Sequence, residues 1–124
     1  MRLRRPLLAL GAPVVVLLGC VQPPEAPAGP GVGDPERGAV LMVREACGAC
    51  HEIPGIQEAE GQVGPPLHGV ARRTIIAGVL PNTPDNMTRW LRDPQAVVPG
   101  NAMPNAGLSE QQARDMAAYL ATLR

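Results

Sequence analysis

Two thiols and an imidazole stand close together in EACGACHEI, residues 45–53, as Cys47, Cys50 and His51. The C-x-x-C-H spacing admits a redox dithiol, a metal site or an anchor for haem. A redox dithiol belongs at the N-terminus of a helix that follows a β-strand; this chain shows no βαβ pattern, which weakens that reading. A structural zinc site closes four positions, yet beyond the segment the domain offers only His68 and no further cysteine. In the third chemistry, thiols at i and i+3 of a helical turn add to the two vinyl groups of one porphyrin. The histidine after the second thiol then lies beneath the iron.

For a haem, the sixth ligand separates electron transfer from ligand chemistry. Candidates are Met42, Met87, Met103, Met116 and His68. Met42, Met87 and Met116 fall on expected helices, where methionine is commonly core filling. Met103 sits in the constrained loop PGNAMP, far along the chain from His51. A thioether held by rigid backbone suits a six-coordinate iron and raises its potential relative to a histidine ligand. His68 follows the attachment segment closely and is expected on the His51 side of the ring, as a surface or loop-bonded histidine.

The elements that must position these residues read as helices joined by long loops. GDPERGAVLMVREAC opens with Asp34 as cap, Pro35 at the first helical position and Glu36 at the positive end of the dipole. That helix is expected to run into CGACH itself. VARRTIIAGVL is expected to hold a short helix. NTPDNMTRWLRDP has Thr83 as cap, Pro84 at N1 and Pro94 as its end. LSEQQARDMAAYLATLR carries a capping box of Ser109 and Gln112, with Ala113, Met116, Ala117, Leu120 and Leu123 at helical spacing. IPGIQEAEGQVGPPLHG and QAVVPGNAMPNAG are Pro/Gly loops. With no strand alternation anywhere, the domain reads as all-α, and its long loops need something to pack against.

Composition supports a bound group. The chain has 124 residues with no Phe, one Trp and one Tyr, so large core-filling side chains are scarce. A small domain of this kind gains from a staple, a metal or a cofactor, and a flat apolar macrocycle could stand in for the missing rings. A formal net charge of zero gives a nucleic-acid partner no electrostatic support.

The N-terminus is a separate object. MRLRRP is a basic n-region, and the apolar run LLALGAPVVVLLGC has the length of a signal-peptide core rather than of a membrane span. Its ending, LLGC, resembles the bacterial lipobox, so residues 1–19 are expected to be a lipoprotein signal peptide and Cys20 the lipidated residue. Residues 20–33 read as a Pro/Gly-rich extended tether, and residues 34–124 as the domain. Without Arg2, Arg4, Arg5 and Glu25 the domain keeps eight arginines against ten acids, so it is mildly acidic. Export agrees with haem, which is attached to such motifs outside the cytoplasmic membrane.

From residue 34 to residue 124 the sequence resembles a class I cytochrome c. CGACH matches the attachment motif, GPPL the loop after it, and PGNAMP the loop of the methionine ligand. AGVLPNTPDNMTRWLRDPQAVVPGNAMP is also similar to the cytochrome c domain of bacterial oxidase subunits II, here expected as a free-standing lipoprotein without the copper-binding part. The resemblance implies three to five helices whose Pro/Gly-rich loops wrap one haem c. It makes Cys47 and Cys50 the thioether residues and gives the iron His51 and Met103. It places the Pro65 carbonyl on Nδ1–H of His51, Leu67 and Trp90 against the haem, and Arg73, with Arg72 beside it, at a propionate. Asn101 falls where the family often has a hydroxyl reaching a propionate. The first and last helices are implied to cross tightly, Gly38 and Met42 meeting Met116 and Tyr119.

The function so implied is a membrane-tethered monohaem carrier of single electrons that turns over no substrate. A quinol-oxidising complex would be its donor and a terminal oxidase its acceptor, with the monomer lipid-anchored in the bacterial envelope outside the cytoplasmic membrane. The competing reading is a haem-based gas or peroxide sensor with a labile Met103, for which no distal His and Arg pair offers clear spacing.

Overall fold

The structure is a computed structural model and describes residues 32–124. The signal peptide and lipidated Cys20 expected from the sequence lie outside these residues, as does the tether up to residue 31. Four helices carry the fold: α1 (Pro35–Arg44), α2 (Pro84–Arg92), α3 (Pro94–Val97) and α4 (Glu110–Leu120). Among the described residues no helix is long and apolar enough to cross a membrane.

Each long helix begins where a side chain can satisfy its free N–H groups. Asp34 accepts from the N–H groups of Glu36 and Arg37 at 2.9 and 3.1 Å. Thr83 accepts from Asn86 at 3.2 Å. Ser109 and Gln112 form the reciprocal box, at 3.2 and 2.8 Å.

Helix α4 is the centre of the packing and touches both α1 and α2. Its crossing with α1 is set by Gly38, where a Cβ would lie 2.1 Å from the carbonyl oxygen of Asp115 and 2.8 Å from Cβ of Tyr119. Only glycine allows the two backbones that close. Met42 and Met116, each 1 % exposed, fill the core with Leu41, Ala113, Ala117 and Leu120. Methionine's flexible thioether chain suits this irregular site between the helices. Gly33 makes a second close approach, its Cβ position 2.1 Å from the Arg114 carbonyl oxygen, and the Val32 carbonyl accepts from Gln111 at 3.2 Å. Gly33 therefore packs on α4, and Val32, its side chain exposed, is tied there through its carbonyl.

A buried carboxylate ties the same helices together. Asp115, 3 % exposed, accepts from Asp34 N–H at 2.8 Å, Arg37 Nε at 3.1 Å and Gln111 Nε2 at 2.9 Å. Burial works to raise its pKa. The three donors and the Arg37 charge outweigh that and leave the carboxyl below its ordinary value.

Three sequence expectations fail locally. The first helix does not continue into CGACH: it stops at Arg44, and Ala46 turns left-handed at φ 53° before a 3₁₀ turn, Cys47–Ala49. VARRTIIAGVL is not a helix. It forms a 3₁₀ turn, Val70–Arg72, and a two-stranded antiparallel hairpin of β1 (Ile75–Ile76) and β2 (Leu80–Pro81), with Ile76 opposite Leu80. Ala77 and Gly78, at φ 53° and 72°, reverse the chain there, and exposed Ile75 beside buried Ile76 shows strand alternation. Pro94 does not lead straight into a loop, because Asp93 caps α3 through Ala96 N–H at 3.0 Å.

Candidate haem site

The 3₁₀ turn brings the two thiols and the imidazole together. Cys50 N–H and His51 N–H both donate to the Cys47 carbonyl, at 3.2 and 3.0 Å. Cys47 and Cys50 are each half-buried and form no disulfide with one another. Burial pushes the Cys47 thiol up, the Glu45 charge adds to this, and a backbone hydrogen bond opposes both.

Glycines let the neighbouring chain lie against this turn. A Cβ at Gly61 would be 2.5 Å from the Cys50 backbone, and one at Gly48 2.7 Å from Cβ of Ala59. At Gly64 a Cβ would stand 2.3 Å from Cε1 of His51 and 2.7 Å from Nδ1, so the imidazole rests on bare backbone. The next residue fixes the ring: Nδ1 of His51 lies 2.7 Å from the Pro65 carbonyl oxygen. With its proton on Nδ1, the ring keeps its Nε2 lone pair for an electrophile, and no group among the described residues bonds to that nitrogen.

Arg73 and Arg72 take different surroundings. Arg73 Nη2 donates to the carbonyl of Pro66, beside the Pro65 that holds His51. Arg72 instead lines a cavity of about 440 Å³ with Pro54, His68, Gly69 and the last three residues. His68 is exposed and places Nε2 2.7 Å from Glu52 Oε1, a loop-bonded surface position. Leu67 is anchored by its N–H to the Glu52 carbonyl at 2.8 Å.

The Met103 loop is bound by two side-chain amides. Met103 N–H donates to Asn101 Oδ1 at 2.7 Å, and the Met103 carbonyl accepts from Gln95 Nε2 at 3.0 Å. Asn101 gives its own amide hydrogens to the Pro94 and Val98 carbonyls, at 2.9 and 2.7 Å. Both Asn101 donors are thereby taken within the loop, the amide being long enough to fold back on α3. Gln95 escaped the sequence reading altogether. Its only signal was a polar residue at the second position of a short helix preceding PGNAMP.

Leu67, Leu80, Trp90, Met103 and Cys47 are apolar or soft side chains packed on the buried core yet left partly exposed. Two half-buried cysteines one turn apart and an imidazole with Nε2 uncommitted make a donor set that fits a haem, and partly exposed apolar side chains are available to pack on it. The site and fold define a small helical domain that carries covalent haem.

Comparison with known proteins agrees. Residues 35–124 match the family profile described as Cytochrome c. Cytochrome c2 of Rhodopila globiformis is 34% identical over 108 residues, covering 74% of this chain and 95% of its own. The cytochrome c of Euglena viridis is 32% identical over 107 residues, covering 74% and 99%. Cytochrome c oxidase subunit 2 of Alkalihalophilus pseudofirmus is 34% identical over 89 residues, 71% of this chain but 25% of the relative. The chain thus matches about a quarter of the length of the oxidase subunits similar to it. It belongs to the cytochrome c family as a class I monohaem cytochrome c, with haem c attached through Cys47 and Cys50.

Proposed function

We propose that this cytochrome is a lipid-anchored, single-electron shuttle of a respiratory chain, with His51 and Met103 as the iron's axial ligands. The haem supplies a one-electron Fe(III)/Fe(II) couple. His51 is oriented by Pro65 and offers Nε2; Leu67 and Trp90 would pack on the haem and exclude water; Arg73 has further N–H donors beyond the one on Pro66 with which it would meet a propionate. With His51 and Met103 both holding the iron, the protein would bind no substrate there and would act as a carrier rather than an enzyme.

The observation that carries this reading is the binding of the Met103 backbone on both sides, by Asn101 and by Gln95. A sensor needs its methionine to leave, and this loop is built to keep it. The similarity to oxidase subunits 2 supports a terminal oxidase as acceptor, with a quinol-oxidising complex as donor. Lipidation at Cys20 would hold the protein in the bacterial envelope outside the cytoplasmic membrane and raise its effective concentration near membrane partners.

Purification from membranes, followed by intact mass and a reduced-minus-oxidised spectrum, tests the proposal. The expected mass carries one haem, a cleaved signal and acyl chains, and the ferric spectrum shows the weak red band of methionine–iron bonding. Absence of that band at neutral pH would remove the carrier reading in favour of a labile-ligand sensor.

A further inference from the structure

We propose that Gln95 is the positioning residue that keeps Met103 on the iron, acting as a strap across the ligand loop from the first turn of α3. The inference rests on Met103 being the iron ligand and adds what holds it there. Gln95 uses its whole amide on one short stretch of chain. Nε2 donates to the carbonyls of Asn101 and Met103, each at 3.0 Å, and Oε1 accepts from Gly100 N–H at 3.0 Å. Gly100 has φ 78°, so the loop turns through a left-handed residue at the point where the side chain grips it.

The strap is rooted in turn. Pro94 is buried and Asp93 caps α3, which fixes the backbone from which Gln95 projects. Asn101 closes the loop's other side by tying Met103 N–H to the carbonyls of Pro94 and Val98. Without Gln95, two carbonyls and one N–H in a half-buried loop must find water, and the loop gains freedom to open. A competing ligand then binds more tightly, because its apparent affinity scales with the fraction of molecules whose iron position is open.

The test uses the haem-loaded protein and imidazole as the competing ligand. Gln95→Met keeps the length and volume of the side chain and removes all three hydrogen bonds. Its ferric form should bind imidazole about tenfold more tightly or better, as loss of several bonds of ordinary net strength predicts. Tyr119→Phe, which removes a bond to the Pro54 carbonyl away from this loop, should leave imidazole affinity unchanged. Unaltered affinity in Gln95→Met, with Met103→Ala freely binding imidazole, overturns the strap and leaves the ligand assignment standing. An equal rise in Tyr119→Phe also overturns it, since the effect would then follow global stability. Unaltered affinity in Met103→Ala overturns both. Should Gln95→Met yield no haem-loaded protein, hydrogen exchange in the wild type decides: slow exchange of the Gln95 amide protons supports the strap, and free exchange of both overturns it.

Discussion

The Nδ1 atom of His51 lies 2.7 Å from the carbonyl oxygen of Pro65, and Gly64, one residue earlier, has its backbone against the same ring. The two contacts fix both the tautomer and the plane of the imidazole. Gly64→Ala would put a methyl 2.3 Å from Cε1. Ring or loop must shift, with a stability loss of about 1–3 kcal/mol, the usual cost of overpacking. Denaturant titration and the reduction potential of the haem-loaded variant check this; unchanged values for both would show that the ring does not rest on Gly64.

Met103→Ala should leave the haem covalently attached while opening the iron to carbon monoxide. Acid–acetone extraction reads the attachment, and the ferrous spectrum under carbon monoxide reads the opening. A variant that stays closed to carbon monoxide would place the sixth ligand elsewhere.

Gly38→Ala should be severely destabilising, because the clashing atom is the Asp115 carbonyl and cannot swing away. A loss at or above about 3 kcal/mol is expected, the upper end for overpacking. Equilibrium unfolding measures it, and a loss below about 1 kcal/mol would mean that the helices separate easily.

Asp115 gives the fold an acid limit. Its pKa is depressed in the folded state, so its contribution is complete above the ordinary carboxylate value of about 4 and is lost as pH falls through the depressed value. Asp115→Asn should cost about 1.5–3 kcal/mol at neutral pH, the range for hydrogen bonds to a charged group. It should also flatten the decline of stability below about pH 4. Thermal unfolding across that range tests both; an acid limb as steep as the wild type's would assign it to other groups.

Cys20→Ser should release the protein from membranes into the soluble fraction of the envelope. Retention in the membrane fraction would identify the apolar segment, rather than a lipid, as the anchor.

What the sequence made legible was whatever its local chemistry determines. Asp34, Thr83 and Ser109 announce helix starts because a cap acts on N–H groups two or three residues away. Cys47, Cys50 and His51 declare themselves because one turn of chain holds all three. The tight crossing at Gly38 came from family resemblance alone. Asp115 stayed hidden: among Ala113, Met116 and Ala117 it reads as a solvent-facing acid, and its partner Arg37 is 78 residues away. Gln95 was missed because nothing in a glutamine's identity says which carbonyls it will meet. The hairpin at Ile75–Pro81 was missed because strands of two residues are too short to show a period, and the left-handed Ala77 belongs to the tertiary fit rather than to alanine.

The attachment of Gly33 and Val32 to α4 also sets a length. The chain leaves the domain at one fixed mounting point, over Arg114 and Gln111. If Cys20 is the anchored residue, the twelve steps from there to Val32 span at most about 40 Å when fully extended. The mounting point would thus sweep a hemisphere whose radius about equals the thickness of the membrane. A partner more distant than that radius would be met only by diffusion of the lipid itself.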